Sequence, residues 1–132
     1  MSTQARQEQY DQLYTIIRKL RGEEGCPWDR RQTPETITKY LLEETNELAE
    51  AIRNGNHNEI REEIGDLFYI LILLIIMHEE EGKFSSDEVL ASISAKMIRR
   101  HPHVFAGRPT GSDSELRRQW EEIKSAEKKQ AR

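Results

Sequence analysis

The chain is 132 residues long, with 20 Lys and Arg against 24 Asp and Glu, a formal charge of −4 and a single cysteine. That length suits one domain burying roughly two-thirds of its unfolded surface. The acidic balance disfavours a general nucleic-acid binder, the lone Cys26 excludes an internal disulfide, and seven glycines and four prolines argue against a many-turned β-sandwich or barrel. In chain order, a first helix is expected from about Thr3 to Leu20, with Leu13, Ile16, Ile17 and Leu20 at helical spacing. Arg21 to Asp29 contains two glycines and a proline and reads as a loop. Thr33-Pro34 is a start signal, a hydroxyl N-cap followed by proline at the first helical position. The second helix runs from there to about Arg53 and is closed by Asn54-Gly55. A third runs from about Asn56–Asn58 to Glu80 and stops before Gly82. Ser85-Ser86-Asp87-Glu88 is a capping box for a fourth, reaching about Arg100. His101 to Phe105 reads as a loop because of Pro102. Ser112-Asp113-Ser114-Glu115 caps a last charged helix through about Lys128, with Lys128 to Arg132 expected to fray. The expectation is one all-α domain over residues 1–132, a bundle of four to five helices.

The third helix is apolar on every side from Leu67 to Met77. A helix apolar all round must be covered all round, and a second copy of the chain is the simplest cover, against the alternative of a central helix in a monomeric bundle. The run is well short of the ~20 residues that span a bilayer. With no signal peptide at the start and one cysteine, the reading is a cytoplasmic protein with no membrane partner.

Two acidic pairs sit where carboxylates are costly. On the second helix Leu41, Leu48, Ala49 and Ile52 gather on one face at ~100° per residue, with Glu44 at its rim and Glu47 one turn on. On the third, Glu63 is in line with Leu67, Ile70 and Leu74, and Asp66 is at the rim. The short connection makes these helices antiparallel neighbours, so the pairs can face each other. Buried and unpaired, each carboxylate would cost several kcal/mol. They can protonate, pair with cations or share a metal ion, and all-oxygen ligation suits Mg²⁺ first and Mn²⁺ second. The alternative for either pair alone is an ordinary solvated helix face. A carboxylate-bridged di-iron bundle needs Glu-x-x-His. None of His57, His78, His101 and His103 has an acid three residues before it, so that reading fails.

Lys96, Arg99 and Arg100, at i, i+3 and i+4, share a helix face and are candidates to clamp phosphate, or form a basic helix end. Trp28 and Trp120 are candidates for stacking on a base, or are core plugs. Cys26 reads as packing, and His101 and His103 as loop structure.

The order of these words resembles the MazG family of all-α nucleoside triphosphate pyrophosphohydrolases. Glu44-x-x-Glu47, a 15-residue gap and Glu63-x-x-Asp66 match its acidic signature. Gly25-Cys26-Pro27-Trp28-Asp29, Tyr40-Leu41-Leu42-Glu43-Glu44, Arg99-Arg100-His101-Pro102-His103-Val104-Phe105 and Trp120-Glu121-Glu122-Ile123-Lys124 accompany it. The resemblance spans about Arg18 to Lys124. Many relatives carry two such domains in tandem, and this one is most similar to the first. The resemblance implies Mg²⁺-dependent hydrolysis of a nucleoside triphosphate to monophosphate and pyrophosphate in a homodimer or homotetramer. It implies Glu44, Glu47, Glu63 and Asp66 as metal ligands. Glu43, or a ligand carboxylate such as Glu47 acting through water, would be the base. Lys96, Arg100 and Trp120 match substrate-proximal positions, with Arg99 and Trp28 as further candidates. The other classes left open are a nucleotide-binding module without turnover and a purely structural bundle.

Overall fold

A computed structural model describes residues 2–131. Among them are seven helices and no strand: α1 (Thr3–Arg21), α2 (Pro27–Arg31), α3 (Pro34–Asn54), α4 (His57–Glu80), α5 (Ser86–Arg100), α6 (Pro102–Phe105) and α7 (Asp113–Gln130). The chain divides into two compact units, Met1–Ser86 and Asp87–Arg132.

The five long helices are those expected, and most of their caps are too. The Thr33 hydroxyl accepts from the Thr36 N–H while the Thr36 hydroxyl accepts from the Thr33 N–H. Gly55 ends α3 at φ 69°, the left-handed conformation that costs glycine little, and its N–H reaches the carbonyls of Ala51 and Ile52. The Asn56 side chain then caps α4, and Ser112 with Glu115 forms the box that opens α7.

Two segments expected as loops are short helices, α2 and α6. Each has proline at its first position, where the missing N–H is no loss and the fixed φ favours a turn of helix. Pro102 lies just after the end of α5 and starts α6, whereas α1 already ends at Arg21 with Gly22 as its cap, so Pro27 only starts α2. The last helix also continues past Lys128 to Gln130. Arg132, the end of the expected frayed tail, lies outside the described residues.

In the first unit α3 and α4 form the principal pair, α1 packs on α4, and α2 joins α1. The core is Ile17 from α1, Ile37 from α3, and Ile70, Ile72, Leu73, Ile76 and Met77 from α4. Ile37 turns the buried face of α3 away from the side expected. Ala51 is buried and Ile52 is 59% exposed, so Glu44 lies within the face and not at its rim. Within the single chain α4 is not covered all round: Ile64, Phe68 and Leu71 are exposed.

A polar knot fixes α2. The Arg21 guanidinium donates to the backbone carbonyls of Asp29 (2.7 Å) and Gln32 (2.8 Å) and pairs with Glu80 at 2.5 Å. The Asp29 side chain is buried and accepts from the Tyr69 hydroxyl of α4. Burial and this carboxylate push the Tyr69 phenol well above its ordinary value. Gly25 permits the approach, because a Cβ there would lie 2.2 Å from the Leu20 carbonyl oxygen.

The second unit joins α5 from Asp87, α6 and α7, and among its described residues none is fully buried. Aromatic and charged side chains, Trp120 and Glu127 foremost, hold α7 against the end of α5.

Candidate functional site

The α3–α4 hairpin sets the register of the acidic residues. Glu44 and Asp66 lie eleven residues on either side of Gly55, and Glu47 and Glu63 lie eight. Antiparallel helices folded about that turn place each acid level with a counterpart. Glu44, Glu47, Glu63 and Asp66 accordingly each present an oxygen within 4.8 Å of the others. Glu44 and Glu63 are partly buried, while Glu47 and Asp66 are exposed.

One oxygen each of Glu44 and Glu63, Oε2 in both, is buried with no hydrogen-bond partner. Buried carboxylate oxygens normally take a donor. Burial first, then the neighbouring charges of Glu47, Asp66 and Glu63, raise the Glu44 carboxyl to about 7. Burial first, then the Glu47 carboxylate, raise Glu63 as well. Four carboxylates at this separation with two undonated oxygens fit a hard divalent cation, which takes oxygen ligands and supplies the missing positive charge. Glu43, the neighbour of Glu44, is exposed.

The other expected residues divide between the units. Trp28 is packed against the core, edge-on to Tyr40 with centroids 5.4 Å apart, which is the core-plug alternative the sequence left open. Lys96 is half-buried in the second unit. Arg99 and Arg100, also there, are drawn together by Glu127 of α7. The Arg99 Nε donates to Glu127 Oε2, and the Arg100 Nε and Nη2 donate to Oε1 at 3.2 and 2.7 Å. The two guanidinium groups, Arg100 first, hold the Glu127 carboxyl down at about 2. The Arg100 guanidinium lies over the Trp120 ring at 5.0 Å, and His101 meets that ring edge-on at 5.4 Å. His101 and His103 thus have partners that the sequence did not indicate. The His101 Nδ1 lies 2.6 Å from the Met97 carbonyl, and the His103 Nδ1 lies 3.1 Å from the Gln119 amide.

Sequence reasoning missed Glu127. The available signal was its place on the inward stripe of α7, with Trp120 and Ile123 at three- and four-residue spacing. An acid on an apolar stripe is the same signal that marked Glu63.

Residues 32–105 match the MazG nucleotide pyrophosphohydrolase domain. The chain belongs to the MazG family. That match includes all four converging acids together with Lys96, Arg99 and Arg100. The nucleoside triphosphate pyrophosphohydrolase of Escherichia coli (strain K12) is 45% identical over 123 residues, 92% of this chain and 47% of that protein. The nucleoside triphosphate pyrophosphohydrolase/pyrophosphatase MazG of Thermotoga maritima is 42% identical over 119 residues, 90% of this chain and 45% of that one. This MazG chain therefore spans about half the length of those curated relatives. Among solved structures, a mazG-related protein from Thermotoga maritima superposes with a TM-score of 0.72 at 29% identity, covering 87% of this chain and 98% of that one. No helix among the described residues is long and apolar enough to cross a membrane.

Proposed function

We propose that this MazG chain hydrolyses nucleoside triphosphates to the monophosphate and pyrophosphate, using Mg²⁺ held by Glu44, Glu47, Glu63 and Asp66, with Mn²⁺ as a substitute. The observation that carries the reading is the opposed quartet of carboxylates, two of them with buried oxygens that no protein donor satisfies. The names of relatives over 40% identical support the same chemistry.

In this reaction water attacks the α-phosphorus, the bond to the α–β bridging oxygen breaks, and that oxygen leaves with the pyrophosphate. When bound by Glu44, Glu47, Glu63 and Asp66, a divalent ion would supply charge neutralisation for phosphate oxygens and lower the pKa of water. The chain's own residues do the rest. Glu43, exposed beside Glu44, or Glu47 accepts the proton of the attacking water. Lys96, Arg99 and Arg100 offset the charge of the polyphosphate, and Trp120 contributes an aromatic surface for the nucleotide. We further propose that the working form is a homodimer or homotetramer, supported by the exposed apolar residues of α4.

The test is a panel of ribo- and deoxynucleoside triphosphates with Mg²⁺, reading monophosphate and pyrophosphate as products. Equimolar monophosphate and pyrophosphate, abolished by chelator, is the expected result. Orthophosphate as the product would mean that a different bond is cut. Nucleotide-dependent thermal stabilisation without any product would identify a binding module instead.

A further inference from the structure

We propose that Glu127 is a positioning residue for polyphosphate recognition, gathering the guanidinium groups of Arg99 and Arg100 into one anion-receiving fork. The inference rests on the reading of the chain as a triphosphate hydrolase. Consecutive residues on a helix point about 100° apart, so neighbouring arginines do not by themselves address one ligand. A single carboxylate that bonds both draws them to one side. Glu127 does this with both of its oxygens: Oε2 takes the Arg99 Nε, Oε1 takes the Arg100 Nε and Nη2, and the Arg100 Nε also reaches Oε2 at 3.5 Å.

Further observations favour a prepared receptor over a plain surface ion pair. The Arg100 and Glu127 side chains are only 12% and 18% exposed. The Arg100 guanidinium is also laid over Trp120, which restricts its plane. An ordered, partly desolvated fork loses less rotamer freedom when it meets phosphate than two free side chains do. Two guanidinium cations and one carboxylate leave the trio with a net positive charge. The carboxyl is charged throughout the neutral range, since the arginines hold it at about 2. Glu127 engages neither terminal nitrogen of Arg99 and leaves the Arg100 Nη1 unengaged, so N–H groups remain for phosphate oxygens.

The experiment uses the full chain and inorganic tripolyphosphate, which carries the phosphate chemistry without base or sugar. Calorimetric titration should show binding to the wild type and about tenfold weaker binding to Glu127→Gln, which keeps the shape and removes the charge. In nucleotide turnover the same variant should raise KM by a similar factor, with kcat within about twofold. Glu127→Asp keeps the charge but shortens the reach, and should fall between the two. It serves in the same titration if Glu127→Gln does not fold. Unchanged binding in a folded variant overturns the inference. Tighter binding also overturns it, marking the carboxylate as a resident competitor. Failure of the wild type to bind tripolyphosphate overturns it as well. A wild type that binds tripolyphosphate in a Glu127-dependent way but releases no pyrophosphate would sink the hydrolase reading and leave the role of Glu127 standing.

Discussion

At the scale of single residues, the consequential feature is a carboxylate where a hydrophobic side chain would pack. Glu63 continues the line of Leu67, Ile70 and Leu74, yet one of its oxygens is buried without a donor. Glu63→Gln removes a charge and a ligand oxygen with almost no change of shape. It should lower metal-dependent turnover about a hundredfold or more while leaving the helical circular dichroism intact. Full activity in that variant would refute the ligand assignment. Glu44 makes a second prediction with a definite sign. Its carboxyl is raised from 4.5 to about 7 in the folded chain. Between those values the folded state binds more protons than the unfolded state, so its stability contribution is complete below the lower value and is lost as pH rises through the higher one. The metal-free protein should therefore melt at a lower temperature at about pH 8 than at about pH 5.5. Glu44→Gln should flatten that dependence, and Mg²⁺ should raise the melting temperature more at the higher pH. A wild-type midpoint that rises across this interval would contradict the account. Glu127 titrates far below the window and does not confuse it.

At the scale of elements, two glycines with opposite surroundings test the packing. A Cβ on Gly25 would meet the carbonyl oxygens of Leu20 and Lys19 at 2.2 and 2.5 Å, where backbone must move. Gly25→Ala should cost about 1–3 kcal/mol in urea denaturation and loosen the Arg21 knot above it. Gly65 lies within α4 with nothing near its missing Cβ, so Gly65→Ala should stabilise by about 0.5–1 kcal/mol. Equal effects of the two would mean that the turn after α1 is not closely packed on the end of that helix. The elements also show what a sequence can carry. Thr33, Gly55 and Ser112 announce helix ends because capping is local, decided within four residues. The convergence of the four acids follows from the same local information, since the turn at Gly55 fixes which residues stand level. Pro27 and Pro102 misled because a proline, which cannot sit inside a helix, is well suited to a helix's first position. The buried face of α3 was misjudged because Ile37, one turn upstream of Leu41, rotates it. Glu127 was invisible for a different reason: its partners are 27 and 28 residues away, and that pairing depends on the path of the chain between.

At the scale of the whole molecule, the question is what α4 is for. It supplies five of the seven residues of the core cluster, and it still carries Ile64, Phe68 and Leu71 at 42%, 50% and 44% exposure. Those three stand at i, i+4 and i+7, a single stripe roughly a quarter-turn round the helix from the Glu63–Leu67–Ile70–Leu74 line. A stripe of three large apolar side chains is worth a few kcal/mol when covered, at roughly 25 cal/mol per Å². An isologous contact brings two such stripes together, doubling the gain within one interface. Because α4 also carries Glu63 and Asp66, an interface on this adjacent face would brace the helix that positions half of the acid cluster. Replacing Phe68 and Leu71 together with Glu sets four carboxylates against one another in a symmetric pair. In sedimentation the wild type should run as a dimer or larger at micromolar concentration, and the double variant should run at a smaller size with its helical content retained. A wild type that sediments as a monomer, or a variant that sediments unchanged, would show that this stripe is not what joins the copies.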